Sequence, residues 1–179
     1  MNTNNFFKIE SQIDQLIINK DFLAAEILIE QMLPKGTLAP KQKSLKLNLL
    51  AKILFLQGKF AEIVSQIDAL EAEQDIHMLL KAQRIAALMQ LKDFVEFKNS
   101  VDILVQSYNQ EKHQLSVLSQ CRLMGNILIF LGNLGLIEES AIFGNELAKT
   151  LDQHFEELAK LPENRTALEI MFISYLNLD

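Results

Sequence analysis

The side chains able to do chemistry are few and scattered. His77, His113 and His154 stand 36 and 41 residues apart, with no His or Cys three or four positions from any of them, so no local metal-ligand spacing exists. Cys121 is the single cysteine. It excludes an internal disulfide framework, suits a reducing compartment, and reads as a buried structural thiol. No serine sits in a nucleophile-elbow context. The carboxylate pairs Glu138-Glu139 and Glu156-Glu157 are adjacent on helical stretches, which points their side chains about 100° apart instead of at one substrate atom. Gly132-Asn133-Leu134-Gly135 lacks the Lys-Ser/Thr that completes a phosphate loop and reads as a hairpin turn. These patterns predict no enzyme, no metal and no cofactor.

Composition narrows the elements that could position any functional side chain. With 179 residues, 49% of them hydrophobic, the chain can bury one good core and is short for two. A single domain over residues 1–179 is expected. Six glycines and three prolines leave little material for the turns of an all-β fold, while Leu, Ile, Ala, Lys, Glu and Gln favour helix. Met1 to Lys8 lacks the basic start and apolar run of a signal peptide, so a cytoplasmic location is expected. The longest uncharged run, Leu123 to Ile137, is 15 residues, shorter than the roughly 20 of a membrane helix. No membrane insertion is expected.

A net charge of -6 argues against nucleic acid as a partner, but the charge is uneven. Residues 1–60 hold eight lysines against five acids, and 61–179 hold nine basic against 18 acidic residues. From Gln31 to Ala61 there are six lysines and no acid. Lys41, Lys43, Lys46 and Lys59 form a basic patch in this stretch. It reads as a solvated face or, more sharply, as a dock for an acidic partner.

Helical periodicity runs through the chain. Ile9, Ile13, Leu16 and Ile17 precede a Lys20-Asp21 break, where Asp21 is placed to cap a second helix carrying Phe22, Ala25, Ile29 and Met32. Pro40 suits the first turn of the next helix, which runs to about Gln57. Leucine, isoleucine and phenylalanine cover nearly its whole circumference, so it must pack on more than one side. Lys41, Asn48, Lys52 and Lys59 leave one polar stripe about 40° wide. After Gln57-Gly58-Lys59 the chain returns through Phe60, Ile63, Ile67 and Leu70. Ile76 to Met89 and Phe94 to Val105 flank a second Lys-Asp break at Lys92-Asp93, and Gln114 to Leu131 pairs with a helix from Ile137. Phe22, Phe60 and Phe94 follow these breaks at intervals of 38 and 34 residues, a period of helical repeats. Four hairpins are expected, over about residues 6–33, 40–72, 76–111 and 114–161, with an apolar C-terminal helix over about 163–178.

Ser44 to Leu70 resembles a degenerate tetratricopeptide repeat (TPR). Leu47, Leu50, Ala51 and Leu54 lie on its first helix, Gly58 and Phe60 at its turn, and Ile67 and Leu70 on its second. Ile63 stands where the family usually has alanine. Ile9 to Met32, with the expected Ala25, and Met124 to Ser140 fit the same pattern, and the third pair fits with a turn one residue shorter. The resemblance implies an all-α, TPR-like right-handed superhelical stack of antiparallel hairpins, with the C-terminal helix as cap. It further implies a concave face that binds a peptide or helix of another protein. In that register the polar concave residues are Asn48, Lys52, Gln83, Arg84, Arg122, Asn126 and Asn133.

Asparagine can hydrogen-bond an extended peptide's backbone, and Lys or Arg can hold a carboxylate. The plainer alternative is that Asn48 and Lys52 form a solvated polar edge and that Arg84 and Arg122 pair with neighbouring acids. The expected function is a non-catalytic protein-interaction module, an adaptor or small chaperone, whose partner segment could be acidic. A self-associating structural or regulatory subunit, a homodimer through its apolar C-terminal helix, is the alternative, as is a helical protein that holds a small ligand.

Overall fold

The computed structural model describes residues 12–34, 36 and 38–159. The start of the first expected helix and all of the C-terminal helix expected near 163–178 lie outside the described residues. Among the described residues every regular element is helical: α1 (residues 12–18), α2 (Phe22–Met32), α3 (Pro40–Leu56), α4 (Phe60–Glu73), α5 (Met78–Leu91), α6 (Phe94–Glu111), a 3-10 turn (Lys112–Gln114), α7 (Val117–Asn133) and α8 (Ile137–Ala159). None of the described helices is long and apolar enough to cross a membrane. The chain divides into two compact units, Met1–Leu91 and Lys92–Asp179. The boundary falls inside the third expected pair, between α5 and α6.

One turn recurs. Lys20, Gly58, Lys92 and Gly135 all take positive φ, between 60° and 73°. At three of these turns the hydrogen bonds are also the same. The Asp21, Lys59 and Leu136 amides reach back five residues to the Leu16, Leu54 and Leu131 carbonyls at 2.9–3.0 Å. The Lys20, Gly58 and Gly135 amides reach back three residues at 3.0 Å. This is the Schellman closure, which satisfies the last carbonyls of a helix through one left-handed residue. Asp21 and Asp93 then cap α2 and α6, accepting from the Ala24 and Glu96 amides at 3.2 Å.

Burial follows the same register. Counted from the left-handed residue, Ile13, Ala51, Ile85 and Leu128 stand seven places before it. Ala25, Ile63, Phe97 and Ser140 stand five after it, and Met32, Leu70, Leu104 and Leu147 twelve after it. All are buried. Offsets of five and twelve differ by seven, two turns of one helical face. The aromatic echo is only partly a packing feature. Phe22 and Phe60 pack on core clusters, and Phe60 meets Phe55 edge-on with centroids 5.1 Å apart. Phe94, by contrast, is 61% exposed.

In the first unit α3 is the shared element. Its Leu49 and Ile53 join Ile13, Ala25, Ile29 and Met32 in one cluster. Its Leu47, Ala51 and Leu54 join Ile63, Ile67 and Leu80 in another. The near-continuous apolar circumference of this helix is thus used on two sides. Pro40 opens α3, and the Gln42 side chain accepts from the Ala39 amide at 2.9 Å. At the far end of α4, Gln74 donates to the Pro40 carbonyl at 2.9 Å and the Ser44 hydroxyl at 3.0 Å, tying the two helices together.

Two helices begin later than their periodicity suggests. Ile76 is buried but precedes α5, because the His77 ring accepts from the Leu79 amide at 3.2 Å and the His77 carbonyl accepts from Leu80 at 2.8 Å. The 3-10 turn then displaces the start of α7 from Gln114 to Val117, where the Ser116 hydroxyl caps the Ser119 amide at 3.3 Å.

In the second unit α7 lies between α6 and α8. Phe97, Val101, Leu104 and Tyr108 form the buried stripe of α6. Phe97 meets Phe130 edge-on, with centroids 5.9 Å apart. Buried Ser140 donates to the Leu128 carbonyl across the α7–α8 contact at 3.1 Å. Close approach there needs a small residue at Gly144, whose added Cβ would lie 3.1 Å from a Leu128 methyl. The helix α8 continues to Ala159 with one non-helical residue, His154.

Candidate functional site

The polar residues expected to line a binding face fall into two groups with different surroundings. Asn48, Lys52, Gln83 and Arg84 belong to α3 and α5 in the first unit. There they face each other or acids on neighbouring helices. Gln83 donates to the Asn48 side-chain oxygen at 2.9 Å, linking α5 to α3. Lys52 pairs with Asp14 of α1 at 2.9 Å, and Arg84 pairs with Asp68 of α4 at 2.5 Å. Much of their bonding capacity is used inside the unit.

The basic patch is also divided by its partners. Lys46 is largely covered, donates to the Leu33 carbonyl at 2.9 Å and pairs with Glu30 at 2.6 Å. A cation there neutralises the negative end of α2 and fastens it to α3. Lys43 pairs with Glu73 at 2.9 Å. Lys41 and Lys59 are exposed. Lys59 lies beyond the end of α3, at the start of α4, so the polar stripe of α3 ends at Lys52. The acids that hold these lysines could not be found by reading the lysine run alone. They sit on α1, α2 and α4, and only helix packing brings them close.

The second unit differs. Arg122, Asn126, Ile129 and Asn133 follow one another at steps of four, three and four along α7 and fall within about 60° of one another. Asn133 is exposed and donates to the Ile129 carbonyl of its own helix at 2.8 Å, an arrangement of the helix end. Arg122, Asn126 and Ile129 are half-buried. Neither Arg122 nor Asn126 makes a hydrogen bond or ion pair with its side chain among the described residues. Arg122 is the only charged residue of α7.

That isolation is unusual within this molecule. The other half-buried cations among the described residues each face a carboxylate: Lys46 with Glu30, Lys52 with Asp14, Lys81 with Glu71, Arg84 with Asp68, and Lys112 with Glu146. Each pair joins two different elements. A half-covered cation is poorly hydrated and gains most from an opposite charge. Among the described residues, Arg122 alone has that environment without that partner.

The chemistry-bearing side chains lie elsewhere. Cys121 is buried, and burial pushes its thiol up to about 11. It is therefore protonated near neutral pH, the opposite of an activated thiolate. Tyr108, absent from the sequence-level candidates, is fully buried, and its hydroxyl has no partner among the described residues. Burial, and then Glu146 and Cys121, push its phenol above the ordinary value. Its ring packs on Phe143 with centroids 5.9 Å apart, and the Lys112 ammonium lies 5.7 Å from the ring centre. Among the described residues no group of three or more His, Cys, Asp or Glu side chains could hold a metal ion. Compared with protein-family models, curated proteins and solved structures, the chain matches none.

Proposed function

We propose that the chain is a non-catalytic protein-interaction module, an adaptor or small chaperone of TPR-like hairpins, and that it engages its partner on the α7 stripe that runs from Arg122 to Asn133. The observation that carries this reading is the pair Arg122 and Asn126, half-buried on one helix face without bonded side-chain partners among the described residues. The recurring Schellman turn and burial register support the hairpin-repeat part of the reading. The step from hairpins to binding is an analogy of architecture.

Asn48, Lys52, Gln83 and Arg84 have a smaller part in this proposal, because binding through them would first break bonds within the unit. Arg122 and Asn126 can bond an incoming chain without such exchange. The test is affinity capture from native lysate with the intact chain and with Asn126→Arg, which adds bulk and charge to the stripe. A protein captured by the first and lost by the second, with both variants melting alike, agrees with the proposal. An unchanged set of captured proteins contradicts it.

A further inference from the structure

We infer that Arg122 receives an aspartate or glutamate side chain of an extended peptide segment, with Asn126 bonding that segment's backbone. The inference rests on the proposed use of the α7 stripe and adds the chemical class of what docks there. It follows from charge complementarity. Among the described residues, every other half-buried cation is held by a carboxylate from another element, and the pairs repeat this on both units. Arg122 is half-buried like them, and all 17 residues of α7 are free of acids. The missing carboxylate is the one an incoming chain brings.

The side-chain types and spacing define the ligand further. A guanidinium binds a carboxylate with two parallel N–H donors, which a lysine cannot reproduce. Asn126 stands one helical turn from Arg122 on the same face, about 6 Å away along the axis. An extended chain advances about 3.3 Å per residue, so the peptide group met by Asn126 lies about two residues from the acidic one. Asparagine offers both a donor and an acceptor, matching a backbone C=O and N–H. Half-buried Ile129 continues the stripe and favours an apolar residue beyond that point.

The test uses the full-length chain on an array of random nonapeptides, acetylated at the N-terminus and amidated at the C-terminus so that only side chains supply carboxylates. The expected result is selection of Asp or Glu at one fixed position. For the best selected peptide, Arg122→Gln should weaken binding at least tenfold, Arg122→Lys should fall between, and Asn126→Ala should weaken it several-fold. All variants should melt as the unaltered chain does. Acidic selection that persists in Arg122→Gln overturns the inference, as does an array with no acidic preference. Binding that appears only with free C-termini, or only on phosphatidylserine vesicles, overturns it as well. If the array fails while Asn126→Arg still abolishes capture of a protein from lysate, the interaction module stands and only the acidic-peptide assignment falls.

Discussion

At the scale of single residues, Tyr108 and Cys121 carry sharp expectations. The Tyr108 hydroxyl is buried without a partner among the described residues, and leaving a hydroxyl unbonded inside a fold costs about 1–3 kcal/mol. Tyr108→Phe should therefore be neutral or stabilise the protein by about 1 kcal/mol in urea unfolding. A loss of stability would mean that the hydroxyl has a bonded water. Cys121 should resist a thiol reagent in the native state and react at once in denaturant. Its pH behaviour follows from the sign of the shift. With an ordinary thiol near 9.0 and the folded one pushed up to about 11, the unfolded chain loses its proton first. Stability should hold below pH 9 and decline as pH rises toward 11. Tyr108, shifted upward as well, extends that decline. Cys121→Ser should reduce the slope measured across this window.

At the scale of elements, the turns are the place to intervene. Lys20 and Lys92 hold φ of 60° where Gly58 and Gly135 hold 73°. A residue with a Cβ pays about 1 kcal/mol or more in that region. Lys20→Gly should raise stability by about 1 kcal/mol and Gly58→Ala should lower it by a similar amount. Equal melting temperatures for the two would contradict the shared turn. Loss of the cap in Asp93→Ala should lower stability by about 1 kcal/mol, read by the same melt.

Much at this scale was legible in the sequence. The Lys-Asp breaks, Pro40 at a helix start and the two-sided burial of α3 all follow from local patterns, because caps and hydrophobic faces are set by residues a few positions apart. The left-handed lysines were less visible, since lysine has no special preference for that conformation. The ion pairs of Lys46, Lys52 and Arg84 were not visible at all. Their acids lie 16 or more residues away in the chain, and only the packing of α1 to α5 decides which acid meets which cation. The same limit applies to the candidate site. Seven polar positions shared one pattern in sequence, and only the structure separates those bonded within the fold from Arg122 and Asn126.

For the whole molecule, α7 is the surface proposed to meet another protein. The second unit carries that surface on a helix buried against α6 and α8, so the stripe is presented on a rigid support. A folded support of this kind keeps Arg122 and Asn126 in fixed relation and reduces the ordering cost of binding. The decisive measurement is amide hydrogen exchange on the isolated protein and on the complex formed with a protein captured from lysate. New protection is expected over α7, centred on residues 122–133, with the amides of α3 and α4 unchanged. Protection confined to α3 and α4, with α7 exchanging as in the free protein, would contradict the proposal.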